Sequence, residues 1–319
     1  MAAEPAALAL RAPVACIVGP TASGKTDLAQ AVALTLGGEV VSADSMQVYR
    51  GMDIGTGKIP LAERLVPHHG LDLVDPGQPF SAALFQRYAR DRFREIDARG
   101  LRSVLAGGTG FYVRAAIDGY EFPAGEQVDN PVRKRCARIA EQEGAEALWQ
   151  MLSERDPASA AIIPAADVKR VTRAFELLDE GCSYAEQRAR LSTIPQVVPA
   201  LFVGLAVDPD VLRARIDARV DAIVEAGLVD EVAGLLERGF REGVTAPQAI
   251  GYKEIAAALD GEATLSEAVR RIKVATHRYA KRQRTWFRKD ARIRWIDAND
   301  DDPGALLDRA LDALAKGAS

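Results

Sequence analysis

Between residues 13 and 36 the chain passes from an apolar segment, PVACIVG, through Gly19-Pro20-Thr21-Ala22-Ser23-Gly24-Lys25-Thr26 into the helical pattern KTDLAQAVALTL. This passage restricts the fold more than any other. A short β-branched run that stops at glycine reads as a strand buried on both faces of a parallel sheet. The octapeptide matches GxxxxGK[ST] in the context that motif requires, a strand before it and a helix after it. Glycines let backbone N–H groups turn inward around phosphate oxygens, and the helix N-terminus adds a favourable dipole. Lys25 supplies a mobile positive charge, and the Thr26 hydroxyl is a ligand for Mg²⁺. The chain therefore binds a di- or triphosphate. The loop alone leaves open what becomes of it.

Further strand patterns follow at EVVSAD (39–44), HGLDLVD (69–75), RSVLAGG (102–108), ALFVGLAV (200–207) and RIRWID (292–297), with helical patterns between them. Ser81 is placed to cap a helix running to about Arg99. Alternating strands and helices imply a βαβ parallel sheet covered by helices. The stretch flanked by Pro123 and Pro199 is different in character, with amphipathic helical patterns and no strand signal. The reading is an α/β fold. A P-loop NTPase-like parallel sheet core spans 13–122 and 199–319, a helical insertion spans 123–198, and residues 1–12 form a loose tail. Further helices are expected over 209–238, 247–260 and 264–289.

No apolar run approaches the roughly 20 residues needed to cross a bilayer. Cys16, Cys136 and Cys182 lie far apart with no CxxC pair, which argues against a zinc module or disulfide framework and fits a reducing cytoplasm. Adjacent His68 and His69, without a third ligand motif, read as structural. A monomer is the default expectation. The formal net charge of −4 conceals a local excess, since residues 270–294 hold eleven Lys/Arg against one acid, Asp290. Arg270, Lys273, His277, Lys281, Arg284 and Arg288 recur at helical spacing and share a face. For a polyanion such a local field matters more than the whole-chain sum.

In open α/β sheets ligands sit beyond the carboxyl ends of the strands. Two such ends carry useful groups, Asp44-Ser45-Met46-Gln47 and Gly107-Gly108-Thr109-Gly110. A convincing Walker B strand is missing, and LDLVD (71–75) is a poor substitute. The segments GPTASGKT, VSADSMQVYRGMDIGTGK, PHHGLDLVDP, FSAALF, LAGGTGFYVRA, IGYKE and YAKRQRTWFR resemble, in order from Gly19 to Arg288, the successive motifs of bacterial tRNA dimethylallyltransferases.

That resemblance implies a P-loop that holds the diphosphate of dimethylallyl diphosphate, with Mg²⁺ on Thr26. Thr109 is similar to the family threonine near the bridging oxygen, and Arg219 to an arginine that contacts the diphosphate. Asp44 resembles the family's general base or orienting group for the exocyclic amine of the adenosine 3′ of the anticodon in tRNA. Ser45, Met46 and Gln47 resemble the segment that meets the extruded base, the Gln47 amide offering a donor and an acceptor to adenine. The resemblance further implies tRNA contacts at Arg133, Lys169, Arg170 and Arg173, at Gly251, Tyr252 and Lys253, and at Arg278, Lys281, Arg282 and Arg284. Lys169 departs from the family pattern, which has glutamine there. Other readings of the P-loop are a small-molecule kinase or NTPase and a transferase that prenylates free adenine nucleotide. A non-enzymatic RNA-binding protein would leave the P-loop without a use.

Overall fold

The computed structural model describes residues 7–122, 130–191, 193–300 and 302–318. Six strands form one sheet: β1 (Val14–Val18), β2 (Gly38–Ser42), β3 (His68–His69), β4 (Arg102–Gly107), β5 (Ala200–Ala206) and β6 (Ile293–Asp297). Their order is β3-β2-β4-β1-β5-β6, and every neighbouring pair is parallel. Residues alternate between the faces, so each face builds its own core. Ala15 and Ile17 belong to one, Val14, Cys16 and Val18 to the other.

In chain order the first helices are α1 (Lys25–Leu36), α2 (Ala82–Ala98) and α3 (Gly110–Ile117). α1 covers one face through Leu28 and Val32, while α2 and α3 cover the other through Phe85, Phe93 and Val113. Ser81 caps α2 by accepting from the Leu84 N–H. Next come α4 (Pro131–Gln142), α5 (Ala145–Arg155), α6 (Pro157–Ala160), α7 (Val168–Asp179) and α8 (Tyr184–Leu191). They form a separate compact unit, Gly119–Pro195, closed around Cys136, Leu148, Leu152, Val171 and Phe175. The expected boundary at Pro123 lies outside the described residues.

The chain then returns to the sheet through β5 and adds α9 (Pro209–Glu225), α10 (Leu228–Leu236), α11 (Tyr252–Leu259), α12 (Leu265–Phe287) and α13 (Pro303–Ala318). α12 begins in the core of one sheet face with Ala268 and Ile272 and ends in the other with Phe287. Its middle turns, carrying Tyr279 and Gln283, pass the sheet's carboxyl edge.

Two expectations need correction. The strand expected over 69–75 is only His68–His69; beyond it, Gly70 and Asp72 take positive φ, and Val74 makes an isolated bridge to Tyr49. Residues 7–12 of the expected tail are held: the Leu8 N–H donates to Val197 O, and Leu8 and Leu10 pack on the sheet. Residues 1–6 lie outside the described residues.

Candidate active site at the carboxyl edge of the sheet

Strand register brings three loops to one level. Val18 pairs with Gly107, and Ala106 with Ser42, so the P-loop, Asp44 and Thr109 leave the sheet side by side. Ala22 and Gly24 take positive φ, at 60° and 83°, which turns the P-loop back on itself. Such strain at a non-glycine residue marks a loop built for a purpose. The Ser23 hydroxyl is buried there and has no hydrogen-bond partner among the described residues.

Asp44 holds its own loop by accepting from the Met46 N–H at 2.9 Å. The Thr109 hydroxyl accepts from the Ser45 N–H at 3.2 Å and donates to Ser45 Oγ at 3.4 Å. Lys25 donates to Pro20 O at 3.2 Å, and burial lowers its pKa to about 8 although the nearby Asp44 carboxylate favours the charged form. Burial lowers the Arg219 pKa as well, with Asp44 and Asp27 opposing. Arg219 enters over Gly57, whose φ is +61°; a Cβ there would overlap the guanidinium.

Two cavities share this edge. The smaller, about 60 Å³, lies over the P-loop and is lined by Lys25, Thr26, Ser42, Gln47 and His68. The larger, about 270 Å³, has apolar walls from Met46, Val220, Ile223, Ile250 and Ile272. Thr21, Asp44, Thr56, Arg219 and Tyr279 line both, so the charged groups stand where the polar and apolar spaces meet. Tyr279 sits within hydrogen-bonding reach of Thr109 and Gln283, and burial raises its pKa to about 12, with the Asp44 charge adding to the effect.

This arrangement can hold a phosphorylated group with an apolar tail and present a carboxylate between the two. The model of the IPP transferase family matches residues 47–290, and that of isopentenyl transferase residues 12–68. A tRNA dimethylallyltransferase of Nocardioides sp. is 45% identical over 308 residues, covering 96% of either chain. The chain belongs to the IPP transferase family. Another relative, the tRNA dimethylallyltransferase of Carboxydothermus hydrogenoformans, is 45% identical over 92% of this chain and 95% of its own. The solved full-length tRNA isopentenylpyrophosphate transferase of Bacillus halodurans is 41% identical with a TM-score of 0.69, over 97% of this chain and 98% of that one. A solved eukaryotic dimethylallyltransferase acting on tRNA is 28% identical with a TM-score of 0.75, over 91% and 74%.

Within this IPP transferase fold several expected contact residues have partners inside the protein. The Gln47 amide, expected to be open to adenine, accepts from the Ser42 hydroxyl at 2.7 Å and donates to Thr56 O and Gly57 O. Tyr252 is fully buried; its hydroxyl donates to Glu231, whose carboxylate also accepts the N–H groups of Asp53, Ile54 and Gly55. Tyr252 is thus a strut for the 53–57 loop. Gly251, with φ +95°, precedes α11 and donates its N–H to Glu254, while Lys253 is exposed. In the insertion, Arg133 and Arg173 both bind the buried Glu176 carboxylate, and Arg170 pairs with Asp167 at 2.9 Å. Lys169 is exposed.

The basic face of α12 is also shorter than its spacing suggests. Lys273 pairs with Asp221 and His277 with Asp217, both acids from α9. Arg278, Lys281, Arg282 and Arg288 remain exposed, with Arg284 half-buried, and none of them forms an ion pair among the described residues. Among the described residues no helix is long and apolar enough to cross a membrane. Sequence reasoning did not place Tyr279 or Gln283 at the site. Both lie four residues apart on α12, but only the path of that helix reveals that they face the P-loop. His68, read as structural, lines the smaller cavity, and its Nε2 has no partner among the described residues.

Proposed function

We propose that this chain transfers the dimethylallyl group of dimethylallyl diphosphate to N6 of the tRNA adenosine next to the 3′ side of the anticodon, releasing diphosphate. The observation that carries the reading is the pair of joined cavities. A P-loop cradle opens, past Asp44 and Arg219, into a space walled by apolar side chains. Relatives that match over nearly the whole chain carry the name tRNA dimethylallyltransferase.

The diphosphate sits on the P-loop N–H groups, with Lys25 and Arg219 opposing the charge that grows as the C–O bond breaks. Thr109 donates its hydroxyl to the bridging oxygen. The electron pair of that bond leaves with diphosphate while the adenine nitrogen forms its bond to the same carbon. The nitrogen becomes acidic as the bond forms, and Asp44 takes its proton. The donor set fits Mg²⁺. Thr26 lines the smaller cavity together with Asp44, and Mg²⁺ keeps several waters and shares substrate phosphates instead of needing an all-protein cage. Thr26 would hold the ion, which when bound would supply positive charge opposite the leaving diphosphate. The exposed cations of α12 and Lys169 bind the tRNA backbone, so affinity falls steeply with salt.

The test is an incubation with radiolabelled dimethylallyl diphosphate, Mg²⁺, unmodified tRNA and AMP. Label in tRNA is expected. Label in AMP alone, or turnover of ATP without transfer, overturns the assignment.

A further inference from the structure

Ile272, Thr276, Tyr279, Gln283 and Trp286 recur along α12 at spacings of three and four and share one face of it. The first three line the larger cavity, and Gln283, only 5% exposed, reaches Thr21 and Gly108. Trp286 is the next rung. Its Cδ1–Nε1 edge packs on Gly110, where a Cβ would overlap it, one residue from Thr109. Yet Trp286 is 42% exposed, and no ring or cation contact involves it among the described residues. Leaving so much indole in water forfeits burial that packing alone would favour. Arg282 and Lys289, four residues before it and three after, are exposed beside it.

The geometry points to Trp286 as a stacking platform for a nucleobase of the tRNA loop that flanks the extruded adenine, an inference that rests on the tRNA reading above. Extruding one base breaks the stack on both sides. An aromatic ring at the rim replaces part of that stack and tolerates any base, because every base has a π-face. Arg282 and Lys289 are placed to hold the neighbouring phosphates. The polar rung at Gln283 thereby braces the P-loop, while the aromatic rung at Trp286 meets the RNA.

The chain has three tryptophans, so Trp149→Phe with Trp295→Phe leaves Trp286 as the single reporter. Titration with an unmodified anticodon stem-loop RNA is expected to quench its fluorescence. Trp286→Ala is expected to raise the KM for tRNA about 5- to 100-fold, with kcat and the KM for dimethylallyl diphosphate little changed, and Trp286→Phe to restore much of the loss. No quenching, or a KM for tRNA that stays put in Trp286→Ala, overturns the platform. So does a rise confined to the KM for dimethylallyl diphosphate, which would make Trp286 a wall of the prenyl site. If the wild-type protein modifies no tRNA, the underlying reading falls, and the quenching titration still decides whether Trp286 stacks on RNA.

Discussion

The Gln283 side chain accepts a hydrogen bond from the Thr21 N–H at 2.9 Å, although 262 residues separate them. The same amide donates to Gly108 O at 2.9 Å. One buried side chain therefore ties the P-loop to the end of β4, and α12 to both. Gln283→Glu keeps an acceptor for Thr21, loses the donor to Gly108 and adds negative charge at the phosphate cradle. We expect the Kd for inorganic pyrophosphate, read by calorimetry, to rise about tenfold or more, as for loss of one hydrogen bond with charge repulsion added. An unchanged Kd would refute the tie.

Lys25 titrates at about 8 in the free protein, below the ordinary lysine value of 10.5, because burial disfavours the ammonium. Between these values the unfolded chain holds more protons than the folded one. This group's contribution to stability therefore grows as pH rises from about 8 to 10.5. A bound diphosphate restores the charged form. Pyrophosphate binding at pH 8.5 should take up protons, seen as a heat that depends on buffer ionisation enthalpy, and its affinity should fall above about pH 8. Lys25→Met should abolish the uptake.

Gly57 leaves room for Arg219 and holds φ at +61°. Gly57→Ala brings about 1–2 kcal/mol of backbone strain and pushes the guanidinium aside. The transfer rate should fall roughly ten- to a hundredfold, the loss of one hydrogen bond to a charged group. Thermal unfolding should show the chain still folded. A variant that retains full activity would remove Arg219 from the diphosphate site.

Asp44→Asn keeps an oxygen to orient the amine but cannot take a proton, whereas Asp44→Ala does neither. With Asp44 as proton acceptor, both variants should lose about a hundredfold or more in single-turnover rate. Near wild-type turnover in Asp44→Asn would reduce the residue to an orienting role.

Glu176 is buried in the insertion unit. Burial raises its pKa, but hydrogen bonds from Arg133 and Arg173 outweigh that, and the net shift is downward. The stability it contributes is present above its ordinary value and is lost as pH falls through the lowered one. Glu176→Gln should destabilise this unit by roughly 1–3 kcal/mol, since both arginines are partly exposed and screened. Arg133→Ala should lower the melting temperature too. A pure loss of tRNA affinity at unchanged stability would return Arg133 to the role of an RNA contact.

Much of the α/β core was legible because its signals are local. A β-branched run that ends in glycine, followed by Lys25-Thr26 and an amphipathic helix, specifies strand, loop and helix within some twenty residues. The same logic placed β2, β4, β5 and β6. It failed over 69–75, where an apolar pattern met a backbone that turns through positive φ at Gly70 and Asp72. It also left out α3 and α13.

By itself the sequence determined the phosphate loop, the parallel α/β core, and Asp44 and Thr109 at strand ends. Each follows from residues close together in the chain. Only the tertiary structure decided which polar groups have partners inside the protein. Gln47 is tied to Ser42 and the 56–57 backbone, Tyr252 to Glu231, Arg133 to Glu176, and Lys273 to Asp221. It also decided that Tyr279 and Gln283 face the site and that Trp286 packs on Gly110, next to Thr109. Helical spacing shows which side chains share a face; what that face meets depends on partners tens to hundreds of residues away, brought together only when the two sheet faces are packed.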